Sequence, residues 1–288
     1  MVDHVFGGSW TEEKLERLRE YLNAYQSALK NQLFITWYVD AFAGTGSRAA
    51  SGQRDTIADP EDIQSDIEVS EYRDGSAKIA LSIDRPFDRY LFIEKSKSKV
   101  NDLRTAIEQE FPSLKSRCEV RHQEANIALS EWAKQRNWTK ERAVVFLDPY
   151  GMQVNWETVA LLANTKAVDL WYLFSSPARL LRRDGNMDQS WRDRLDAVFG
   201  TDDWYEHFYK KRVESDLFGS YEVMDRDATE RHVKSYIEGR LGSCFAAVAP
   251  SLVLRNSKSS PLFLLCFAAA NKKGAPIALR IAKSILKD

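Results

Sequence analysis

Three acids and two glycines stand where they could hold a charged ligand. Asp40 closes the apolar run Ile35-Thr36-Trp37-Tyr38-Val39, and Gly44 and Gly46 follow it. Glycine lacks Cβ, so the backbone there can take φ > 0 and let a ligand approach closely. Gly44-x-Gly46-x-x-Ala49 fits the relaxed dinucleotide fingerprint, but a nicotinamide site usually has an apolar residue where Asp40 stands. An acid beside the loop suits a ligand with a free amino group, and S-adenosylmethionine is such a ligand. Glu94 closes a second apolar run, Tyr90-Leu91-Phe92-Ile93, where an acid can accept hydrogen bonds from both ribose hydroxyls. Glu124 follows a third run near Cys118–His122 and could meet an adenine amino group, or could be a solvated acid in the first turn of a helix. Asp148-Pro149-Tyr150-Gly151 ends the fourth run, Ala143-Val144-Val145-Phe146-Leu147.

The elements that must position these groups are legible in the same pattern. Short runs rich in β-branched and aromatic residues read as strands, and an unbroken apolar run reads as a central parallel strand buried on both faces. Helical spacing separates them, and a fifth run, Val168–Phe174, follows. Alternation of this kind predicts a doubly wound α/β fold with ligands at the carboxyl ends of the strands. Ahead of the first strand, Ser9-x-x-Glu12 is a capping-box pattern, and Leu15, Leu18, Leu22, Tyr25 and Leu29 give an amphipathic helix. Gly52 to Asp74 carries eight acids against Arg54 and Arg73, which predicts an acidic lid over about 48–75. Ser76 is a plausible N-cap for the next helix.

Beyond Ser175 the alternation breaks, and an inserted helical cap is expected over about 176–240. Arg179, Arg182 and Arg183, then Lys210, Lys211 and Arg212, interleave with Trp191, Trp204, Tyr205, Phe208 and Tyr209. Such a pattern can track a phosphate backbone and stack bases; it also suits helices with one apolar and one solvated basic face. Asp225 to Leu241 reads as a helix, Phe245–Val248 and Val253–Leu254 as strands, and Leu262–Phe267 as a further strand before a final amphipathic helix from Pro276. No linker is visible, so residues 1–288 are read as one domain.

Composition narrows the classes. Hydrophobic residues at 44% and charged residues at 29% are ordinary for a globular chain, and the net charge of −1 argues against a non-specific grip on a long polyanion. The sequence has no run of about 18 apolar residues and no basic, then apolar, leader, so a cytoplasmic protein without a membrane span is expected. Cys118, Cys244 and Cys266 are widely spaced and read as reduced thiols, and the four histidines are scattered; neither set suggests a metal site.

The order of these marks resembles the three-Cys-motif partner proteins: Asp40-Ala41-Phe42-Ala43-Gly44-Thr45-Gly46, Gly75-Ser76-Ala77, Phe92-Ile93-Glu94, Asp148-Pro149-Tyr150-Gly151 and Pro261-Leu262-Phe263. Thr45 and Ala77 stand where many members have proline. The resemblance implies a class I S-adenosylmethionine-dependent methyltransferase fold, Rossmann-like, with a mostly parallel seven-stranded sheet whose last hairpin makes one strand antiparallel. It also implies a companion protein carrying three cysteines. On this reading Asp40 and the Gly44–Gly46 backbone hold the amino-acid end of the cofactor, Phe42, Ala43 and Ser76 also belong to the cofactor site, Glu94 holds the ribose, and Glu124 or its neighbours the adenine. Asp148-Pro149-Tyr150 resembles the Asp-Pro-Pro-Tyr signature of enzymes that methylate exocyclic amines of bases, where acid and proline carbonyl accept from the amine and the aromatic stacks. It is also similar to the Asp-Pro-Phe-Gly of transfer-RNA guanine methyltransferases. Three functions follow: a nucleobase amine methyltransferase; a methyltransferase-fold partner of the three-cysteine protein with little catalysis; and a nucleotide-dependent oxidoreductase. Asp40, and the gap of about 50 residues before Glu94 where a dinucleotide site expects about 20, disfavour the third.

Overall fold

In a computed structural model the described residues are 9–44, 75–175, 180–181, 187–216, 219–256 and 258–287. The expected lid, Gly46, Arg179, Arg182 and Arg183 lie outside them.

The chain opens with helix α1 (Ser9–Leu29) and strand β1 (Ile35–Asp40). After residue 74 come α2 (Ser76–Leu81), β2 (Arg89–Glu94), α3 (Lys97–Glu110), β3 (Cys118–His122), α4 (Ala125–Lys134), β4 (Glu141–Leu147), α5 (Trp156–Asn164) and β5 (Val168–Ser175). Strands β3, β2, β1, β4 and β5 lie side by side in that order, all parallel. The order reverses between β1 and β4, which places the topological switch point, where open sheets bind ligands, at the ends of those two strands.

Strands β1, β2, β4 and β5 each feed two cores because successive side chains point to opposite faces, whereas edge strand β3 holds no fully buried residue. Val39, Leu91, Ile93, Val145 and Leu170 pack with α4 and α5 on one face. Tyr38, Tyr90, Phe92, Phe146 and Trp171 pack with α1, α2 and α3 on the other. Burial on both faces accounts for the near-continuous apolar runs, and all eight residues of β5 are buried. In α1 the buried stripe runs through Trp10, Lys14, Leu18, Tyr21, Leu22 and Tyr25, while Leu15 and Leu29 are only half-buried.

The remaining segment corrects two expectations. It holds α6 (Gln189–Phe199), α7 (Trp204–Phe208), β6 (Tyr209–Asp216), β7 (Gly219–Arg226) and α8 (Glu230–Gly242). The insertion is therefore not wholly helical: β6 and β7 form a separate antiparallel hairpin. Lys210 stands directly opposite Asp225, and Lys211 reaches Glu222 at 2.9 Å, so opposite charges favour the cross-strand pairing. Asp225 and Arg226 accordingly belong to β7, and the helix begins later than its periodicity suggested.

The sheet also has eight strands rather than seven. Beyond β8 (Ala247–Val248) and β9 (Leu252–Arg255), β10 (Pro261–Ala269) inserts antiparallel beside β5 and pairs on its far side with both β8 and β9. The two expected strands, Phe245–Val248 and Val253–Leu254, thus share one edge of β10 with a break between them, the first shortened to Ala247–Val248. Pro250 has no N–H to give the ladder, and the Ser251 N–H is taken by Glu238. The antiparallel strand is the one the resemblance implied. Helix α9 (Ala275–Ile285), with Pro276 in its first turn, closes the chain against α1.

Candidate functional site

Asp40 lies in register with Phe92 of β2 and Phe146 of β4. Glu94 and Asp148 therefore each stand two residues beyond its level, at the same end of the sheet. The backbone leaving β1 spans the gap between its neighbours. The Ala41 N–H donates to the Phe146 carbonyl at 3.1 Å, and the Ala43 N–H to that of Ile93 at 3.0 Å. Gly44 then turns with φ of 62°, a left-handed conformation that favours glycine.

Asp40 is fully buried. Its Oδ1 accepts the Phe42 N–H at 3.1 Å, and the Ser76 hydroxyl of α2 also donates to the carboxylate. Burial raises its pKa to about 6; the two hydrogen bonds oppose the rise, and nearby Asp148 adds to it. Folded Asp40 thus keeps its proton to higher pH than the unfolded group, which releases it near 3.9. Between those values the native state binds more protons, so this group's contribution to stability falls as pH rises from about 4 to 6. Asp169, also buried and raised to about 6, contributes a second fall in the same window. Asp40→Asn is expected to remove its own share, on the order of 2–3 kcal/mol. Urea unfolding at pH 4.5 and 7.5 checks this: the variant gains on wild type at the higher pH, and an unchanged difference between the two pH values refutes it.

Glu94 is half-buried, with one N–H on each oxygen: Gly44 N at 3.2 Å on Oε2 and Ser96 N at 2.7 Å on Oε1. A carboxylate offers about four lone-pair sites, so capacity remains for a pair of hydroxyls. Glu124, like Glu94, accepts one hydrogen bond on each oxygen. It is the N-cap of α4, accepting from the Ile127 N–H at 3.0 Å and from the Asn126 amide at 2.7 Å. It caps α4 rather than lying in its first turn, and stands just past β3.

Asp148 holds the finding that the sequence did not suggest. Its Oδ2 accepts from Lys14 Nζ at 2.7 Å, with only 3% of the Lys14 and 8% of the Asp148 side chain exposed. The ammonium also lies 5.5 Å from the Trp10 ring centroid and 6.0 Å from that of Phe146. Lys14 occupies a buried position of an otherwise apolar stripe. A cation at that position was the available signal, and it means little until the sheet brings Asp148 opposite. Tyr150 is 44% exposed, and its N–H donates to Gln153 Oε1 at 2.9 Å. Asn126 links this loop to α4, donating to the Gln153 carbonyl and accepting from Asn155 N and the Thr158 hydroxyl. Gly151, with φ of 68°, makes the turn beyond Tyr150.

The arrangement brings together Asp40, Phe42, Ala43, Gly44, Ser76, Glu94, Asp148, Pro149 and Tyr150 at one end of the sheet. The basic residues expected to meet nucleic acid, Lys210, Lys211 and Arg212, lie on the hairpin strand β6. Lys210 is paired with Asp227, Lys211 with Glu222, and Arg212 lies 3.8 Å from Asp225. No group of three or more His, Cys, Asp or Glu side chains among the described residues could hold a metal ion. No described helix is long and apolar enough to cross a membrane. Cys118, Cys244 and Cys266 are free thiols, and only Cys266 is fully buried.

No protein-family model matches the chain, and no curated protein matches it in sequence. Among solved structures it is similar to the magnesium protoporphyrin IX methyltransferase of Synechocystis with bound SAM, at 10% identity, over 90% of this chain and 80% of that one, with a TM-score of 0.39. It is also similar to an S-adenosylmethionine-dependent methyltransferase of Clostridium acetobutylicum, at 9% identity, over 88% of this chain and 91% of that one, with a TM-score of 0.37. The fold class rests on the chain's own strand order: a mostly parallel α/β sheet, wound on both faces, with one long antiparallel strand inserted beside β5.

Proposed function

We propose that the chain is an S-adenosylmethionine-dependent methyltransferase of the three-Cys-motif partner type, acting on an exocyclic amine of a nucleobase in DNA or RNA. The observation that carries this reading is the placement of Asp40, Glu94 and Asp148 around the switch point, with the Gly44 turn between them. The donor set fits the cofactor. Glu94, steadied by two backbone N–H groups, keeps lone pairs for the ribose hydroxyls, and buried Asp40 supplies a counter-charge for an ammonium. Gly44 lets the loop backbone come close, and Ser76 fixes the Asp40 carboxylate.

When bound, the cofactor supplies a methyl carbon on a positively charged sulfur. The chain's task is then to hold the acceptor near that carbon, where positioning can contribute roughly 7–11 kcal/mol. Asp148 and the Pro149 carbonyl accept from the amine, and exposed Tyr150 offers a face for stacking. A base in a duplex must be extruded, at a cost of a few kcal/mol. A second reading, a methyltransferase-fold partner of a three-cysteine protein without much catalysis, draws support from Lys14, which already engages one oxygen of the carboxylate that would face the acceptor.

Calorimetric titration tests the cofactor assignment. Heat is expected with S-adenosylmethionine or its demethylated product, and Gly44→Val is expected to abolish it because valine cannot take that φ without strain. No heat from either ligand at millimolar concentration would sink the proposal.

A further inference from the structure

A groove of about 430 Å³ lies between α8 and the edge strand β9. Ser251, Val253 and Arg255 line one wall, at the alternate positions that share a face of a strand. Arg231, Lys234, Ser235 and Glu238 of α8 line the other. Two ties cross it. Arg255 donates to both oxygens of Glu230 at 2.7 and 2.9 Å, and Glu238 accepts the Ser251 N–H at 2.6 Å. Both lining carboxylates are therefore engaged, whereas Arg231 and Lys234 form no ion pair or hydrogen bond among the described residues. The lining holds Arg231, Lys234 and Arg255 against Glu230 and Glu238, a net of one positive charge, whereas Lys210, Lys211 and Arg212 of the β6–β7 hairpin each lie beside an acid.

One end of the groove, at Arg255, lies at the end of the sheet that holds the candidate site. Arg255 pairs with Pro261, and Phe263 of the same strand pairs with Ser175, the last residue of β5. We propose that it binds the phosphodiester backbone of a single-stranded nucleic acid through Arg231 and Lys234. This inference rests on the nucleobase reading and names where the rest of such a substrate is held. Val253 is the one apolar residue in the lining, so side-chain pockets for an extended peptide are lacking, whereas paired cations suit phosphates.

The test measures fluorescence anisotropy of labelled single strands, one DNA and one RNA, between about 50 and 200 mM salt. Arg231→Gln/Lys234→Gln is expected to weaken binding and lower the slope of log K against log salt by about 1.4, near 0.7 for each lost contact. Lys211→Gln/Arg212→Gln should leave both unchanged. The inference is overturned if wild type binds neither strand, if the groove variant keeps the wild-type slope, or if the hairpin variant loses binding instead. Poly-glutamate binding that depends on Arg231 and Lys234, without nucleic-acid binding, also overturns it and points to an acidic protein. Calorimetry with S-adenosylmethionine on the same preparations separates the two claims. Cofactor heat with no groove effect leaves the methyltransferase reading standing alone, and a groove effect without cofactor heat leaves the groove standing alone.

Discussion

Lys14→Met is expected to destabilise the fold by about 3–5 kcal/mol, because it leaves the Asp148 carboxylate buried without its counter-charge. Methionine keeps most of the side chain's length and apolar stem, so the loss reads the charge rather than a cavity. Lys14→Met/Asp148→Leu, which removes both charges, should recover most of the loss, since apolar replacement of a buried pair is often neutral or stabilising. Urea unfolding of the single and double variants measures both. A single-variant loss below about 1 kcal/mol, the range of an exposed pair, would mean that water reaches the two groups.

Asp148→Asn carries the second large effect, on turnover. The amide keeps an oxygen for Lys14 but removes its counter-charge as well as the carboxylate that would accept from an acceptor amine, so unfolding stability is measured alongside turnover. Methylation of a nucleic-acid pool should fall by about 10²–10³-fold, the scale of one preorganised polar contact, with cofactor affinity nearly unchanged. Asp148→Ala is the poorer probe, because it also removes the only oxygen left for Lys14 to donate to at that position. Tyr150→Ala should weaken acceptor engagement by roughly 1–3 kcal/mol if the ring stacks on a base, and Tyr150→Phe should retain most activity. If the protein is a scaffold, losses should follow thermal stability alone. Full methylation by a stable Asp148→Asn protein ends the assignment of that carboxylate.

The alternation was readable because β1, β2, β4 and β5 are each buried on both faces and leave nearly unbroken apolar runs, whereas edge strand β3 holds no fully buried residue and is marked only by its place between helical segments. Asp40, Glu94 and Asp148 were readable for a related reason: an acid directly after such a run must sit at a strand end. Lys14 was not, since its partner is distant in sequence and a lysine in a helical stripe ordinarily reads as a stem reaching for water. The β6–β7 hairpin was hidden because Lys210, Lys211 and Arg212 resemble the solvated face of a helix until their acids are placed across from them. The groove at β9 needed the break at Pro250, after which Glu238 takes the Ser251 N–H and ties α8 to the edge.

The place of β10 in the sheet has a consequence for biosynthesis. Its partner β5 is wholly buried in the finished protein, yet about 85 residues separate Ser175 from Pro261. At about 5–20 residues per second, the ribosome needs roughly 4–17 s to deliver the strand that covers that edge. During that interval the apolar rim of β5 is open to other chains. Nascent chains stalled before residue 261 should therefore associate with holdase chaperones more strongly than chains released beyond 270.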